Sequence, residues 1–328
     1  MREIKYREAI KEALKEEMAK DERVIIFGED LTDWGGSFAI TAGLSKKFIE
    51  GRIRNTPISE AVIAGLAAGS AMVGLRPVAE IMFNDFLLLA GDQIVNQIAK
   101  LRYMTGGQVE MPVVIRTAMG GGNSQAAHHS QSLIGMFTNV PGLKIVCPST
   151  PYDAKGILKS AIRDNNPVIV FEHIMLYNIK GEVPEEQYYL PLGKADIKRK
   201  GKDITVVAIS EMVKKSLSAA ARMEKEGIDI EVIDPVSLVP LDIETIIESV
   251  KKTGRLIVAY NGPIYNGAGT EIVAQVVEQA FDYLDSPIYR VAEKMSPIPF
   301  SPVLEKDIFP QEEDIISAVK KILGDIKE

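Results

Sequence analysis

One cysteine is too few for a disulfide framework or a cysteine-built zinc site, and Cys147 is the only one in the 328-residue chain. Its setting, Lys144-Ile145-Val146-Cys147-Pro148, reads as a buried strand end, which gives the sulfur a core role rather than a reactive one. No apolar run approaches the roughly 20 residues that span a bilayer, and the N-terminus is charged with no apolar signal region. The expected setting is therefore the cytoplasm, without membrane contact. There is no run of Lys and Arg, and the net charge of −7 argues against a nucleic-acid partner. Nucleotide fingerprints are incomplete. Gly120-Gly121-Gly122 lacks the Gly-Lys-Ser/Thr ending of a phosphate loop, and Gly267-Ala268-Gly269-Thr270-Glu271-Ile272 is only G-x-G-x-x-I. Histidine is scarce too: His128, His129 and His173 are the only three.

What the chain does have is a regular alternation of strand and helix patterns, which indicates parallel α/β architecture. Residues 6–20 follow a helical period. Residues 24–28 form an apolar run ending in Gly28, as in a buried parallel strand. A loop over 29–38 and a short helix over 44–50 follow. Next come an uncharged helix over 61–75, a strand over 76–82, and one long helix over 86–104 ending at Gly106-Gly107. Strands over 113–115, 143–147 and 168–171 and a helix over 151–164 complete a first domain. Residues 177–201 are polar and read as a surface linker. A second set follows, with strands over 204–208, 230–233, 255–260 and 288–291 and helices over 212–226, 243–253, 271–284 and 311–326. At this length two domains are expected, divided as 1–190 and 191–328.

The stretch Asn55-Thr56-Pro57-Ile58-Ser59-Glu60 opens the uncharged helix. Ser59 is an acceptable N-cap, and Glu60 is the only acid between Glu50 and Glu80. Burial would raise the pKa of Glu60 and the helix N-terminus would lower it, a balance that lets a carboxyl share a proton with a ligand nitrogen. The plainer alternative is an acid that complements the helix dipole. Ala61, Gly65 and Gly69 make a small-residue stripe, open to a subunit contact or to a buried helix within the domain. His128-His129 lies in a Gly/Ala/Ser loop with no apolar face to pack. Adjacent histidines do not give the i, i+4 spacing of a helical zinc pair, so the readings are proton transfer or a hydrogen-bonded loop histidine. His173, at a strand end, reads as structural.

Taken together, these blocks resemble the β subunit of the thiamine-diphosphate-dependent decarboxylating component of 2-oxoacid dehydrogenase complexes. The matching stretches are Asn55 to Glu60, Gly74-Leu75-Arg76-Pro77-Val78-Ala79-Glu80, Ala127-His128-His129-Ser130-Gln131-Ser132 and Val140-Pro141-Gly142-Leu143-Lys144. Ala161-Ile162-Arg163-Asp164-Asn165-Asn166-Pro167-Val168 and Glu231-Val232-Ile233-Asp234-Pro235 extend the resemblance over nearly the whole chain. The family includes subunits acting on pyruvate, branched-chain 2-oxoacids and acetoin. The resemblance implies a pyrimidine-binding α/β domain followed by a transketolase-like C-terminal α/β domain. It implies that Glu60 faces N1′ of the aminopyrimidine, that Phe86 packs on that ring and that Ile58 and Met82 line its pocket. It further implies that His129 serves proton transfer or lipoyl contact, with His128 beside it in the channel. Backbone carbonyls of Val113, Ala161, Asp164 and Asn166 match a potassium site in the family.

Three positions depart from the family pattern. His128 stands where Gln is usual, Tyr260-Asn261-Gly262 where an acid is common, and Lys294-Met295-Ser296 replaces an acidic or threonine-containing turn. The Gly-Asp-Gly…Asn motif that holds magnesium and the diphosphate is absent, Gly91-Asp92-Gln93 being its nearest counterpart. An α subunit is therefore expected to supply magnesium and the diphosphate grip in an α2β2 assembly, with a lipoyl-bearing acyltransferase as acceptor and a small 2-oxoacid as substrate. Trp34-Gly35-Gly36, Glu172-His173 and Pro297-Ile298-Pro299-Phe300-Ser301 lean towards acetoin-type subunits. The alternatives of another class are a non-catalytic nucleotide-binding module and a stand-alone transketolase-like enzyme.

Overall fold

The computed structural model describes residues 1–324. The chain divides into two compact units, the first made of Met1–Met119 and Met136–Leu192, the second of Gly120–Gly135 and the chain from Gly193 onward. The division is not the contiguous one expected at 190/191. Residues 120–135, which carry His128 and His129, group with the second unit.

The first unit opens with β1 (Arg2–Lys5) and α1 (Tyr6–Lys20), followed by β2 (Val24–Gly28), β3 (Ile53–Asn55), α2 (Glu60–Met72) and β4 (Arg76–Phe83). Then come α3 (Leu101–Met104), β5 (Val114–Met119), α4 (Ile134–Thr138), β6 (Lys144–Val146), α5 (Pro151–Arg163), β7 (Val168–His173) and β8 (Lys180–Val183). Its main sheet runs β6-β7-β5-β4-β2-β3, with every one of these pairs parallel. Buried on both faces, the central strands β2, β5 and β7 need the largely apolar runs that the sequence supplies. α1 lies along α5. Their facing rows pair Glu12 and Glu16 with the fully buried Lys155, Glu16 also with the fully buried Lys159, and Glu17 with Arg163 at 2.7 Å. Both rows advance by about one helical turn, so the charges stay in register.

The second unit contains β9 (Asp196–Arg199), β10 (Ile204–Ala208), α6 (Met212–Met223), β11 (Ile230–Asp234), β12 (Ser237–Val239) and α7 (Ile243–Thr253). It continues with β13 (Leu256–Pro263), α8 (Thr270–Ala280), β14 (Tyr289–Glu293), α9 (Pro302–Ile308) and α10 (Glu312–Gly324). One sheet runs β14-β13-β10-β11-β9, parallel except for β9. α6 and α10 cover one face of it, where Met212, Met223, Ile315, Val319 and Ile322 meet Val206, Val232 and Ile257. Each large aliphatic withdrawn from water there contributes about 2 kcal/mol.

Three expectations fail locally. No helix forms over 44–50, because that segment closes three-residue turns (Leu44 N–H to Thr41 O, Lys47 N–H to Leu44 O) between Gly43 and Gly51, both at positive φ. The long helix over 86–104 is broken into a 3-10 segment (Asn84–Ala90), a π segment (Gln93–Ile98) and α3. The joint lies at Gly91, where helix propensity is weakest. The linker over 177–201 contains two paired strands, β8 against β1 and β9 against β11, so hydrogen bonding overrides its polar composition. Residues 325–326 of the last predicted helix lie outside the described residues. Among the described residues no helix is long and apolar enough to cross a membrane.

Candidate active site

The carboxyl ends of β2 and β3 bring two acids together. The chain leaves β3 at Asn55, Thr56 donates its N–H to Gly28 O (2.9 Å), and Ser59 takes the extended N-cap conformation before α2. The Ser59 side chain makes no capping bond, while its carbonyl accepts from Ile63 N–H. Glu60 is therefore fixed at the first helical position by the backbone, and it is only 7% exposed. Glu29, 8% exposed at the end of β2, is its counterpart. Burial raises the Glu29 carboxyl above its ordinary range, and the Glu60 charge adds to the effect, followed by Asp30. The buried hydroxyl of Thr56 has no hydrogen-bond partner among the described residues. The turn thus offers an acid pair and an unsatisfied hydroxyl at the carboxyl edge of a parallel sheet, where α/β folds bind ligands.

An aromatic step stands at the end of β4. Phe86, half-buried, meets Phe83 edge-on with centroids 6.0 Å apart, and Phe83 meets Phe38 likewise at 5.7 Å. Met82 is half-buried, and its sulfur accepts from Ser37 Oγ at 3.3 Å. Ile58 is 84% exposed. Beneath this edge Arg116 on β5 is clamped between Glu80 on β4 (2.7 Å) and Glu172 on β7 (2.8 Å for both pairs of a bidentate contact). Tyr177 donates to Glu172 at 3.0 Å. Burial disfavours the Arg116 charge, yet Glu172 and Glu80 outweigh it and the guanidinium is held more firmly protonated than usual. Glu80 is raised by burial, against the pull of Arg116. The trio ties three strands together.

In the second unit the 120–135 loop is docked onto α9. Glu305, 3% exposed, accepts from the N–H groups of Gly122 (2.9 Å) and Ser124 (3.0 Å). Gly121 lies so close to Phe309 that a Cβ there would sit 2.4 Å from the ring. Ser124 and Ala126 hold left-handed backbone (φ 56° and 60°), and His129 N–H points to Ala126 O at 3.4 Å. His128 is exposed and His129 half-buried.

Residues 2–180 match the pyrimidine-binding domain of transketolase, and residues 193–315 match the transketolase C-terminal domain. The chain is 48% identical to the β subunit of acetoin:2,6-dichlorophenolindophenol oxidoreductase of Bacillus subtilis (strain 168), covering 99% of this chain and 98% of that one. It is 46% identical to the pyruvate dehydrogenase E1 component β subunit of Gracilaria tenuistipitata var. liui (98% and 100% covered), and 44% identical to the 2-oxoisovalerate dehydrogenase β subunit of Bacillus subtilis (97% and 98%). The chain is a member of the transketolase-like dehydrogenase β-subunit family. Among solved structures, a split-gene transketolase described as an inactive β4 tetramer superposes with a TM-score of 0.81 at 27% identity, covering 98% of each chain.

Family membership separates the glycine motifs from nucleotide binding, and the structure supplies their physical purpose. In the loop that resembles a phosphate cradle, the Gly122 and Ser124 N–H groups are occupied by the Glu305 carboxylate. Gly267 and Gly269 make room for the Tyr260 ring, which a Cβ at either would meet at 2.4–2.6 Å. His173 is 2% exposed, and its Nδ1 accepts from Met175 N–H. At the end of α5, Val113 O accepts from Val168 N–H (2.9 Å), Ala161 O from Asp164 N–H (3.2 Å) and Asp164 O from Arg76 Nη1 (3.1 Å). Each of these carbonyls keeps a second lone pair.

Sequence reasoning missed Glu29 and the Arg116 trio. The trio did leave a signal: Glu80, Arg116 and Glu172 are each the interior charge of an otherwise buried strand.

Proposed function

We propose that the chain is the β subunit of a thiamine-diphosphate-dependent 2-oxoacid dehydrogenase, active with an α subunit in an α2β2 assembly. The observation that carries this reading is Glu60, buried at the N-terminus of α2 beside Glu29. Bound thiamine diphosphate supplies the electron sink for cleaving the bond beside a carbonyl. Glu60 holds and moves the proton at N1′ of the aminopyrimidine. A carboxyl buried at a helix N-terminus is suited to exchange a proton with a ring nitrogen. Phe86 offers a half-exposed ring face to the pyrimidine, and Met82 and Ile58 line the same edge. Thr56 offers an unsatisfied hydroxyl. The residues present therefore fit an aminopyrimidine.

His129 is assigned proton transfer or contact with the incoming lipoyl group, and Glu305 holds its loop for that task. His128 is assigned to the channel beside it. Magnesium is assigned to the α subunit, because Gly91-Asp92-Gln93 lacks the motif that would hold it here. Potassium is assigned to the carbonyls of Val113, Ala161, Asp164 and Asn166. The α partner is supported by the β-subunit names of the relatives and by α2. On α2 the glycines of the small-residue stripe, Gly65 and Gly69, are exposed together with Val62 and Leu66. The acceptor is the lipoyl group of an acyltransferase, and the expected compartment is the cytoplasm. Acetoin cleavage is a second reading, favoured by 48% and 47% identity to two acetoin oxidoreductase β subunits.

The test is co-expression with the α subunit and assay with thiamine diphosphate, magnesium and pyruvate, 3-methyl-2-oxobutanoate or acetoin. Glu60→Gln is expected to lower turnover by about 100-fold or more while the assembly still forms. Undiminished turnover in Glu60→Gln would sink the mechanism.

A further inference from the structure

The three departures from the family pattern meet in the second unit. His128, Met295 and Ser296 line one cavity of about 400 Å³, and Asn261 fixes its wall by accepting Ser132 Oγ on its carbonyl at 3.0 Å. Glu293 also lines it. Glu293 is 3% exposed, its Oε1 has no hydrogen-bond partner among the described residues, and β14 ends at this residue. Pro297 and Ile298 supply an apolar wall. We propose that this cavity binds a small uncharged hydroxy compound, with its hydroxyl on Glu293 Oε1 and its short carbon chain against Met295, Pro297 and Ile298.

The volume lies at the small end of ligand pockets, about 300–1,000 Å³. A lining that joins the unpartnered Glu293 Oε1, with Gln131, Ser132 and Ser296 nearby, to the apolar Leu133, Pro297 and Ile298 suits an amphipathic molecule of a few carbons. A buried acceptor without a donor is a standing cost, which a bound hydroxyl removes. The charge state selects the class. Burial pushes the Glu293 carboxyl up to about 7, against the opposing Gly262 N–H and the Lys215 charge. Near neutrality the group is therefore divided between acid and carboxylate. A hydroxyl serves both forms, donating to one and accepting from the other, whereas an ammonium ion serves only the carboxylate. His128, exposed at the rim, is the remaining titratable group of the lining.

Of the thiamine-site residues only His128 lines this cavity, and binding here rests on Glu293, Met295, Pro297 and Ile298 rather than on Glu60. The probe is 2,3-butanediol, which has the hydroxyls and the short chain but no carbonyl to cleave. Its binding to the full-length chain at pH 7 is followed by ligand-observed NMR and calorimetry. Saturable binding is expected in the wild type and in Glu60→Gln. Glu293→Leu is expected to weaken it about tenfold, the loss of one hydrogen bond. Glu293→Gln, which can still bond a hydroxyl, is expected to restore most of the affinity. Ile298→Trp, which fills the cavity and leaves Glu293 in place, is expected to abolish binding. The proposal is overturned if the diol does not saturate, if Glu293→Leu and Ile298→Trp both bind as the wild type does, or if binding is lost in Glu60→Gln. Tighter binding of sec-butylamine than of the diol at pH 7 would overturn the uncharged class.

Discussion

Glu293 makes the stability of the second unit depend on pH in a direction opposite to most carboxylates. An ordinary glutamate loses its proton near 4.5, and in the folded chain burial moves this one to about 7. Between those values the folded state holds more protons than the unfolded state, so stability falls as pH rises through the window and levels off above about 7. A displacement of that size corresponds to about 3 kcal/mol at pH 8. Glu293→Gln removes the ionisation and keeps the shape. It should match the wild type near pH 4.5 and exceed it progressively, reaching about 3 kcal/mol at pH 8. Hydrogen exchange of the β13 and β14 amides is the assay, because the lone tryptophan, Trp34, reports on the first unit. A constant difference between variant and wild type across pH 4.5–8, or a variant less protected at pH 8, would refute the assignment.

Two further outcomes follow from buried charge. Arg116→Met leaves Glu80 and Glu172 facing each other without a cation and should destabilise the chain by about 3–5 kcal/mol in urea unfolding. A loss below about 1 kcal/mol would show that the trio is not the tie between β4, β5 and β7. Glu305→Ala removes the acceptor for Gly122 and Ser124, and their amides should exchange about tenfold to a hundredfold faster, with slower turnover in the assembled enzyme. Unchanged exchange would mean that the loop is held by Phe309 packing alone.

The fold was legible wherever one face of a segment is apolar and its ends carry turn chemistry. β2, α1 and α7 begin and end where periodicity places them, with Gly28 closing β2. The failures share a cause. Residues 84–104 are apolar enough for one helix, but Gly91 and tertiary packing divide them into three geometries that no periodicity distinguishes. β8 and β9 look like loop because an edge strand needs a partner's backbone more than an apolar face. At the candidate site, Glu60 was legible because an acid opening an uncharged helix is conspicuous. Glu29 was not, since an acid at a strand end is ordinary until a second carboxyl is seen beside it. His128, Asn261 and Met295 were visible as departures, yet their convergence on one cavity depends on strand order that the sequence does not spell out.

The grip of Glu305 on Ser124 spans 181 residues of chain. A ribosome adding about 5–20 residues per second needs roughly 10–40 seconds to make that stretch. Throughout that interval the nascent histidine loop exists without the carboxylate that organises it. Strands β1 to β8 are all synthesised by Val183, whereas the loop has to wait for nearly the whole chain. Protein synthesis thus imposes a built-in delay, and nascent chains stalled before Glu305 should carry a protease-sensitive site between Gly120 and Gly135 that disappears once the chain is released.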